Sequence, residues 1–124
     1  MLFVLIFVGG GFGSVSRYLL GASVQNKAQL DFPIGTLVVN ILGCIAIGII
    51  AKLFLHSQTH HLARTTLVVG FCGGFTTFST FSYETFGLIN GGEWGRAAAY
   101  VLMSAVGCVI ATAAGYALSP TLAR

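Results

Sequence analysis

Charged residues are scarce in this sequence. Asp, Glu, Lys and Arg make up only 7% of its 124 residues, with six basic and three acidic side chains. A soluble protein of this size exposes much of its surface and carries charge on about a quarter of its residues. Because hydrophobic residues reach 56%, the sequence predicts that lipid surrounds most of the chain. The thinly spread net charge of +3 favours neither nucleic-acid binding nor a polybasic lipid patch.

Cysteine and histidine are also few, with three residues of each. The odd number of cysteines and the absence of a Cys-x-x-Cys pair argue against a disulfide framework or a zinc site. His56 and His60 have the i, i+4 spacing of a helical metal site, but the sequence around them and His61 offers no carboxylate or cysteine. We therefore expect a solvated loop there, and cysteines buried at helix contacts.

Long apolar stretches take up most of the chain. They cover residues 2–22, 33–55, 65–90 and 95–118, and each is long enough for a helix that spans a bilayer, which needs about 20 residues. The sequence thus predicts a single all-α membrane domain, 1–124, with four transmembrane helices. No basic segment precedes the first stretch and Arg17 lies inside it, so we expect a retained helix rather than a signal peptide. Within this stretch, Gly9 and Gly13 have the spacing of small residues that lets helices pack closely.

The basic residues do not favour either side of the predicted membrane domain. Four spans would leave three Lys or Arg near each face. An excess of Lys and Arg on one side normally fixes the orientation of a chain in the membrane. Either the signal is weak and other features orient the chain, or the chain inserts both ways and pairs antiparallel with itself. Four short helices enclose little space for a pathway, which favours an oligomer, and a two-fold homodimer is the commonest one.

The third stretch is atypical of an apolar helix. The Gly73-Gly74 pair disfavours a helix, and so do the β-branched residues Thr76 and Thr77. We therefore predict a break in this helix near the membrane centre. Broken backbone at that depth must be covered by protein or line an ion site, where freed carbonyls can bind a cation.

Aromatic and hydroxyl residues alternate after this break. Phe78 and Phe81 share a helix face, and Phe75 is expected to extend the stripe. These rings could simply pack against neighbours or lipid. Interleaved with Ser79 and Thr80, however, their positive edges would make a weakly polar lining suited to a small anion.

Other polar residues of the spans also allow two interpretations each. Asn40 could cross-link helices or line an ion path, where its NH2 group would donate to an anion. Ser104, on a stripe with Tyr100 and Cys108, could bond its own backbone or complete a polar track. Arg17 could extend to the interface or attract an anion to a vestibule.

Three sequence strings together closely resemble the fluoride channel family called Fluc or CrcB. They are Gly9-Gly10-Gly11 with Arg17-Tyr18, Pro33-Ile34-Gly35-Thr36 with Val39-Asn40, and the string Gly70-Phe71-Cys72-Gly73-Gly74-Phe75-Thr76-Thr77-Phe78-Ser79-Thr80-Phe81. The resemblance covers all four stretches, and the last string is highly specific. It implies a dual-topology antiparallel homodimer with two fluoride pores and a structural sodium ion at its centre.

The resemblance also implies roles for individual residues. Main-chain carbonyls of Gly73 and Thr76 from each subunit would hold the sodium ion. The fluoride path would be lined by the ring edges of Phe78 and Phe81, the amide of Asn40 and a polar track of Thr36, Thr80, Tyr100 and Ser104. Arg17 matches a basic residue of the first span. The role of Glu84 stays open, and at Cys108 a hydroxyl would continue the track better.

The implied function is passive export of fluoride through the inner membrane of a bacterium, with no enzymatic activity. The alternative is a small dual-topology exporter that exchanges protons for cations or drugs. That chemistry needs a membrane-embedded carboxylate, and Glu84 is the only acidic residue inside a predicted span. A non-conducting membrane subunit would leave the hydroxyl-rich run 76–82 without a purpose.

Overall fold

A computed structural model describes residues 1–55 and 60–120, which form helices and no β-strand. In chain order the elements are α1 (Leu2–Ala28), α2 (Ile34–Leu53), α3 (His61–Thr65), a π-helix (Thr66–Cys72), α4 (Gly73–Phe75), α5 (Phe78–Asn90) and α6 (Trp94–Leu118). His56 lies outside the described residues. The predicted all-helical class is confirmed for the part of the chain that the structure describes.

Within these ranges, α1, α2 and α6 are each long and apolar enough to cross a membrane. The bounds of α2 and α6 lie close to the predicted ones, but α1 extends to Ala28 instead of ending near residue 22. The prediction was too short because it followed hydrophobicity, and polar residues of the last turns remain helical. The helix ends where Gln29 adopts a left-handed conformation, with φ at 50°.

Close backbone contacts hold these helices together. A Cβ atom at Gly13 would overlap the carbonyl oxygen of Phe71, and one at Gly9 would lie 2.9 Å from the carbonyl oxygen of Thr66. Likewise, a Cβ atom at Gly48 would overlap the carbonyl oxygen of Thr112. Side chains of any size would force these helices apart, so small residues permit the packing. The predicted role of Gly9 and Gly13 is confirmed.

The third apolar segment is interrupted, as predicted. It begins at His61 rather than at residue 65, passes through the π-helix and stops after Phe75. Thr76 and Thr77 are extended, with φ and ψ of −82° and 158° for Thr76 and −149° and 118° for Thr77. Gly73 keeps helical angles of −62° and −37°. The β-branched pair, and not the glycine pair, is therefore where the backbone leaves the helix.

Candidate ion pathway

The break is held in place by a side chain from a neighbouring helix. Asn40, buried on α2, donates from its Nδ2 to the carbonyl oxygen of Thr77 at 3.1 Å. Its Oδ1 accepts from the backbone N–H of Thr77 at 2.8 Å. An unpaired backbone group at this depth would cost several kcal/mol. The cross-linking interpretation of Asn40 is thus what the geometry shows, and one Nδ2 hydrogen is left over for another acceptor.

Thr77 also begins the helix that follows. Its Oγ1 accepts from the backbone N–H of Thr80 at 3.1 Å and donates to the Thr80 hydroxyl at 3.0 Å. A threonine in this position pairs one of the N–H groups that the first helical turn leaves free. Thr77 was not among the site residues predicted from the sequence. The signal was present, since threonine is among the residues preferred immediately before the first turn of a helix.

The break changes the pairing of nearby carbonyl groups. In a continuous helix the Gly73 carbonyl would accept from the N–H of Thr77, but that N–H donates to Asn40. The Gly74 carbonyl accepts from the hydroxyl of Ser14 at 3.4 Å. The extended conformation of Thr76 turns its carbonyl out of the helical pattern. Main-chain oxygens therefore become available at the interruption, as in other broken membrane helices.

A cavity of about 300 Å³ lies on one side of the break. We call it the aromatic cavity. The Phe78 and Phe81 rings, 5.4 Å apart between centroids, both contribute to it. Its lining comprises Asn40, Cys44, Ile47, Thr76, Thr77, Phe78, Phe81, Ser104, Ala105 and Cys108. Phe75 was predicted to extend the stripe of Phe78 and Phe81, and this prediction was wrong. Phe75 is buried and stacks on Phe71, because the break changes the direction in which the side chains of the following helix point.

Ser104 has an unusual environment within the aromatic cavity. Ser104 is only 8% exposed. In the described part of the chain, its Oγ is the one buried side-chain oxygen or nitrogen that lacks a hydrogen-bond partner. The alternative in which Ser104 bonds its own backbone is therefore not what the structure shows. Most buried hydroxyls are paired, so this donor is available to something that enters the cavity.

Glu84 joins two of the predicted track residues. The Thr36 hydroxyl donates to its Oε1 at 2.7 Å, and the Tyr100 hydroxyl donates to its Oε2, also at 2.7 Å. Tyr100 is completely buried and its ring packs against Phe81 at 5.1 Å. The role of Glu84 was left open by the sequence, and the structure makes it the acceptor on which Thr36 and Tyr100 converge.

A second, wider cavity of about 830 Å³ lies on the other side of the break. We call it the vestibule. Arg17 and Tyr18 of α1 contribute to it, together with Thr36, Thr80 and Glu84. Thr77 borders both the vestibule and the aromatic cavity. Of the predicted path residues, Arg17, Thr36 and Thr80 line the vestibule, and Asn40, Phe78, Phe81 and Ser104 line the aromatic cavity. Tyr100 lines neither cavity and contacts Glu84 and Phe81 instead.

These features define a multi-pass α-helical membrane protein whose interrupted helix separates two cavities, an arrangement suited to moving a solute across a bilayer. The model of the family described as "CrcB-like protein, Camphor Resistance (CrcB)" matches residues 4–116. That match covers nearly the whole sequence. The chain belongs to the CrcB family.

Curated relatives agree with this assignment, and three of them are named fluoride-specific ion channel FluC. The protein of Solibacter usitatus is 49% identical over 96 residues, which is 76% of this chain and 79% of that protein. The protein of Nitrobacter winogradskyi is 49% identical over 111 residues, 89% and 88% of the two chains. A protein of Thermus thermophilus is 43% identical over 120 residues, 97% and 94% of the two chains.

Proposed function

We propose that the chain is a fluoride-selective channel that lets fluoride leave the bacterial cytoplasm passively and so protects the cell. The names of its bacterial relatives support this function. The observation that carries it is the position of Thr77, at a break that borders two cavities. A channel needs a lining that binds its ion weakly enough to release it, and hydroxyls, one amide and ring edges meet that requirement.

The path would run from the vestibule to the aromatic cavity. Arg17 is the basic residue among the charged residues of the vestibule and would attract the anion, although Asp31, Glu84 and Glu93 line the same cavity. Next along the path come the Thr80 hydroxyl, which lines the vestibule, and the remaining Nδ2 hydrogen of Asn40, which lines the aromatic cavity. In the aromatic cavity, the edges of Phe78 and Phe81 and the unpaired hydroxyl of Ser104 replace part of the hydration shell.

Thr36 and Tyr100 are joined to Glu84 in one hydrogen-bonded group beside this path, and their hydroxyl hydrogens are not free to donate to the anion. Both hydroxyl hydrogens point at the carboxylate, so the hydroxyl oxygens are fixed in place. We infer that the group sets the shape of the vestibule, which Thr36 and Glu84 line. Selectivity against chloride would follow from a path too narrow for the larger anion and too poor in donors to hold it.

The driving force is the membrane potential. An inside-negative potential expels an anion with about 2.3 kcal/mol per charge for every 100 mV. Fluoride reaches the cytoplasm as neutral HF from acid surroundings and dissociates there, so a passive exit for the anion is sufficient. The function therefore requires neither a nucleotide site nor an enzymatic group.

The assembly we infer is an antiparallel, dual-topology homodimer of four-span subunits in the inner membrane. Besides α1, α2 and α6, residues 61–90 would form the remaining span, the third in chain order, as an interrupted helix. Broken backbone cannot face lipid, and Phe78 beside the break is 79% exposed in the single chain. A second copy would cover this region. The balanced basic residues allow either orientation in the membrane.

A structural sodium ion at the dimer centre fits the residues of the break. Carbonyl oxygens are hard ligands of the kind that alkali cations prefer, and Gly73 and Thr76 offer them where helical pairing is disturbed. The space beside Gly73 is open, since a Cβ atom placed there would have the Val68 carbonyl oxygen as its nearest neighbour, at 3.7 Å. Two carbonyls from each subunit would complete the site.

Fluoride efflux from liposomes that contain the purified protein tests this proposal. A fluoride electrode follows the release, and chloride efflux from matched liposomes is the control. We expect rapid loss of fluoride without loss of chloride. Retention of fluoride in well-reconstituted liposomes would overturn the proposal and favour proton-coupled cation export through Glu84, which an assay of proton-driven cation uptake would then detect.

A further inference from the structure

Two cysteines face each other across the contact between α2 and α6. Cys44 lies one helical turn before Gly48, and Cys108 lies one turn before Thr112. Gly48 and Thr112 are in backbone contact, and Gly107, earlier in α6, lies beside Ile41, earlier in α2. The two helices therefore run in the same direction, and the turns that precede Gly48 and Thr112 also meet. The thiols of Cys44 and Cys108 are neighbours, and both line the aromatic cavity.

An unpaired polar group lies beside this pair. Ser104 is one turn before Cys108 on the same face of α6 and lines the same cavity. Its Oγ is buried and lacks a partner among the described residues. The cavity thus presents two soft sulfur donors and one unpaired hydroxyl. The proposed fluoride path uses the hydroxyl but gives the two thiols no role.

We propose that Cys44 and Cys108 form a two-thiol site for a soft divalent cation that prefers two ligands in a line, with Hg²⁺ as the simplest representative. Thiolates select soft metals over the hard cations that oxygen ligands prefer. A linear ion needs only two donors, so it requires no third ligand. The proposal goes beyond fluoride transport and does not depend on it.

Charge balance favours a divalent ion at this depth. Each thiol releases one proton as its S–H bond breaks, and two sulfur–metal bonds form. The product is neutral, because two thiolates offset the two positive charges. A neutral complex avoids the large cost of placing a net charge in a medium of low dielectric constant.

Cys72 provides the control: it is close enough to Cys44 for an electrostatic interaction, but only Cys108 makes a side-chain contact with the Cys44 thiol. Cys72 belongs to the π-helix, its side chain is completely buried, and it lies outside the aromatic cavity. A single thiol can bind mercury but has no second sulfur to retain it against a competing thiol. Two preorganised thiols hold the ion at a high effective concentration. Resistance to a monothiol wash therefore distinguishes the paired site from three separate thiols.

The test is the amount of mercury retained by the purified full chain. Wild type, Cys44→Ser, Cys108→Ser and Cys72→Ala are each treated with HgCl2, washed with excess 2-mercaptoethanol, desalted and analysed by elemental mass spectrometry. We expect one mercury per chain in wild type and Cys72→Ala, and at least tenfold less in the other two. Should Cys72→Ala fail to elute like wild type, Cys72→Val replaces it.

Two outcomes would overturn the proposal. One is that wild type retains no more mercury than Cys108→Ser. The other is one mercury per two chains, which would indicate a bridge between copies. Neither result bears on fluoride efflux, so failure of this site and failure of the proposed channel function are distinguishable.

Discussion

Asn40 and Thr77, 37 positions apart in sequence, are joined by two hydrogen bonds between one amide side chain and one backbone unit. The Asn40 amide pairs both the N–H and the C=O of Thr77, which the interrupted helix cannot pair itself. Since unpaired backbone groups are costly away from water, the break depends on Asn40. The same two residues border the aromatic cavity, so the support of the break and the lining of the path coincide.

Replacing Asn40 should therefore damage both stability and transport. Asn40→Ala leaves two buried backbone groups without partners, at about 1–3 kcal/mol each, and removes an anion donor. We expect a lower melting temperature in detergent and slower fluoride efflux. Asn26→Ala, at an exposed position near the end of α1, is the control and should change neither. A wild-type melting temperature for Asn40→Ala would contradict the bridging role.

Thr77 should matter through its hydroxyl as the cap of α5. Thr77→Val keeps the shape but removes the acceptor for the Thr80 N–H, which should cost about 0.5–2 kcal/mol. Thr77→Ser should restore most of the lost stability. Thr85→Val is the matched control, since the Thr85 hydroxyl only bonds back to the Phe81 carbonyl of its own helix. Equal melting temperatures for the Thr77→Val and Thr85→Val variants would argue against the cap.

Sequence alone could predict the helical class and the presence of the break, because both depend on local properties. Apolar length marks the spans, and Gly73, Gly74, Thr76 and Thr77 all disfavour a helix. The sequence alone could not predict at which of these residues the helix is interrupted. That choice depends on Asn40, whose amide reaches Thr77 only once α2 has packed beside the third segment.

The register of α2 against α6 was likewise beyond the sequence. Hydropathy shows that both helices are apolar, but the contact of Gly48 with Thr112 sets which residues meet. This register places Thr36 and Tyr100 on Glu84 and brings Cys44 to Cys108. The interpretation of Phe75 was wrong for a related reason, since a helical face cannot be extrapolated across a break.

Because α2 and α6 are in close contact, we expect a single added methyl group to lower the thermal stability of the protein. Gly48→Ala would force the added Cβ atom into the Thr112 carbonyl oxygen, and overpacking costs about 1–3 kcal/mol. Gly95→Ala is the control, because a Cβ atom there meets nothing within 4 Å. Thermal unfolding in detergent should show a clear loss for Gly48→Ala alone. Similar unfolding curves would mean that the helices do not approach this closely.

Removal of sodium should destabilise the assembly if the proposed site exists. A ligand at 100 times its dissociation constant stabilises the folded state by about 2.7 kcal/mol. Replacing sodium by N-methyl-D-glucamine should therefore lower the melting temperature of wild type. Titration with sodium should restore it, while titration with the same amount of additional N-methyl-D-glucamine should not. A melting temperature independent of sodium would contradict a bound structural ion.

The central claim is that fluoride passes the aromatic cavity beside the break, and one pair of variants tests it most directly. Phe81→Ile removes a ring that lines this cavity, whereas Phe86→Ile changes an exposed ring further along α5. Fluoride efflux from liposomes is measured for both, with size-exclusion chromatography to verify the same oligomer. The account predicts at least tenfold slower efflux for Phe81→Ile and wild-type efflux for Phe86→Ile. Undiminished efflux for Phe81→Ile would contradict it.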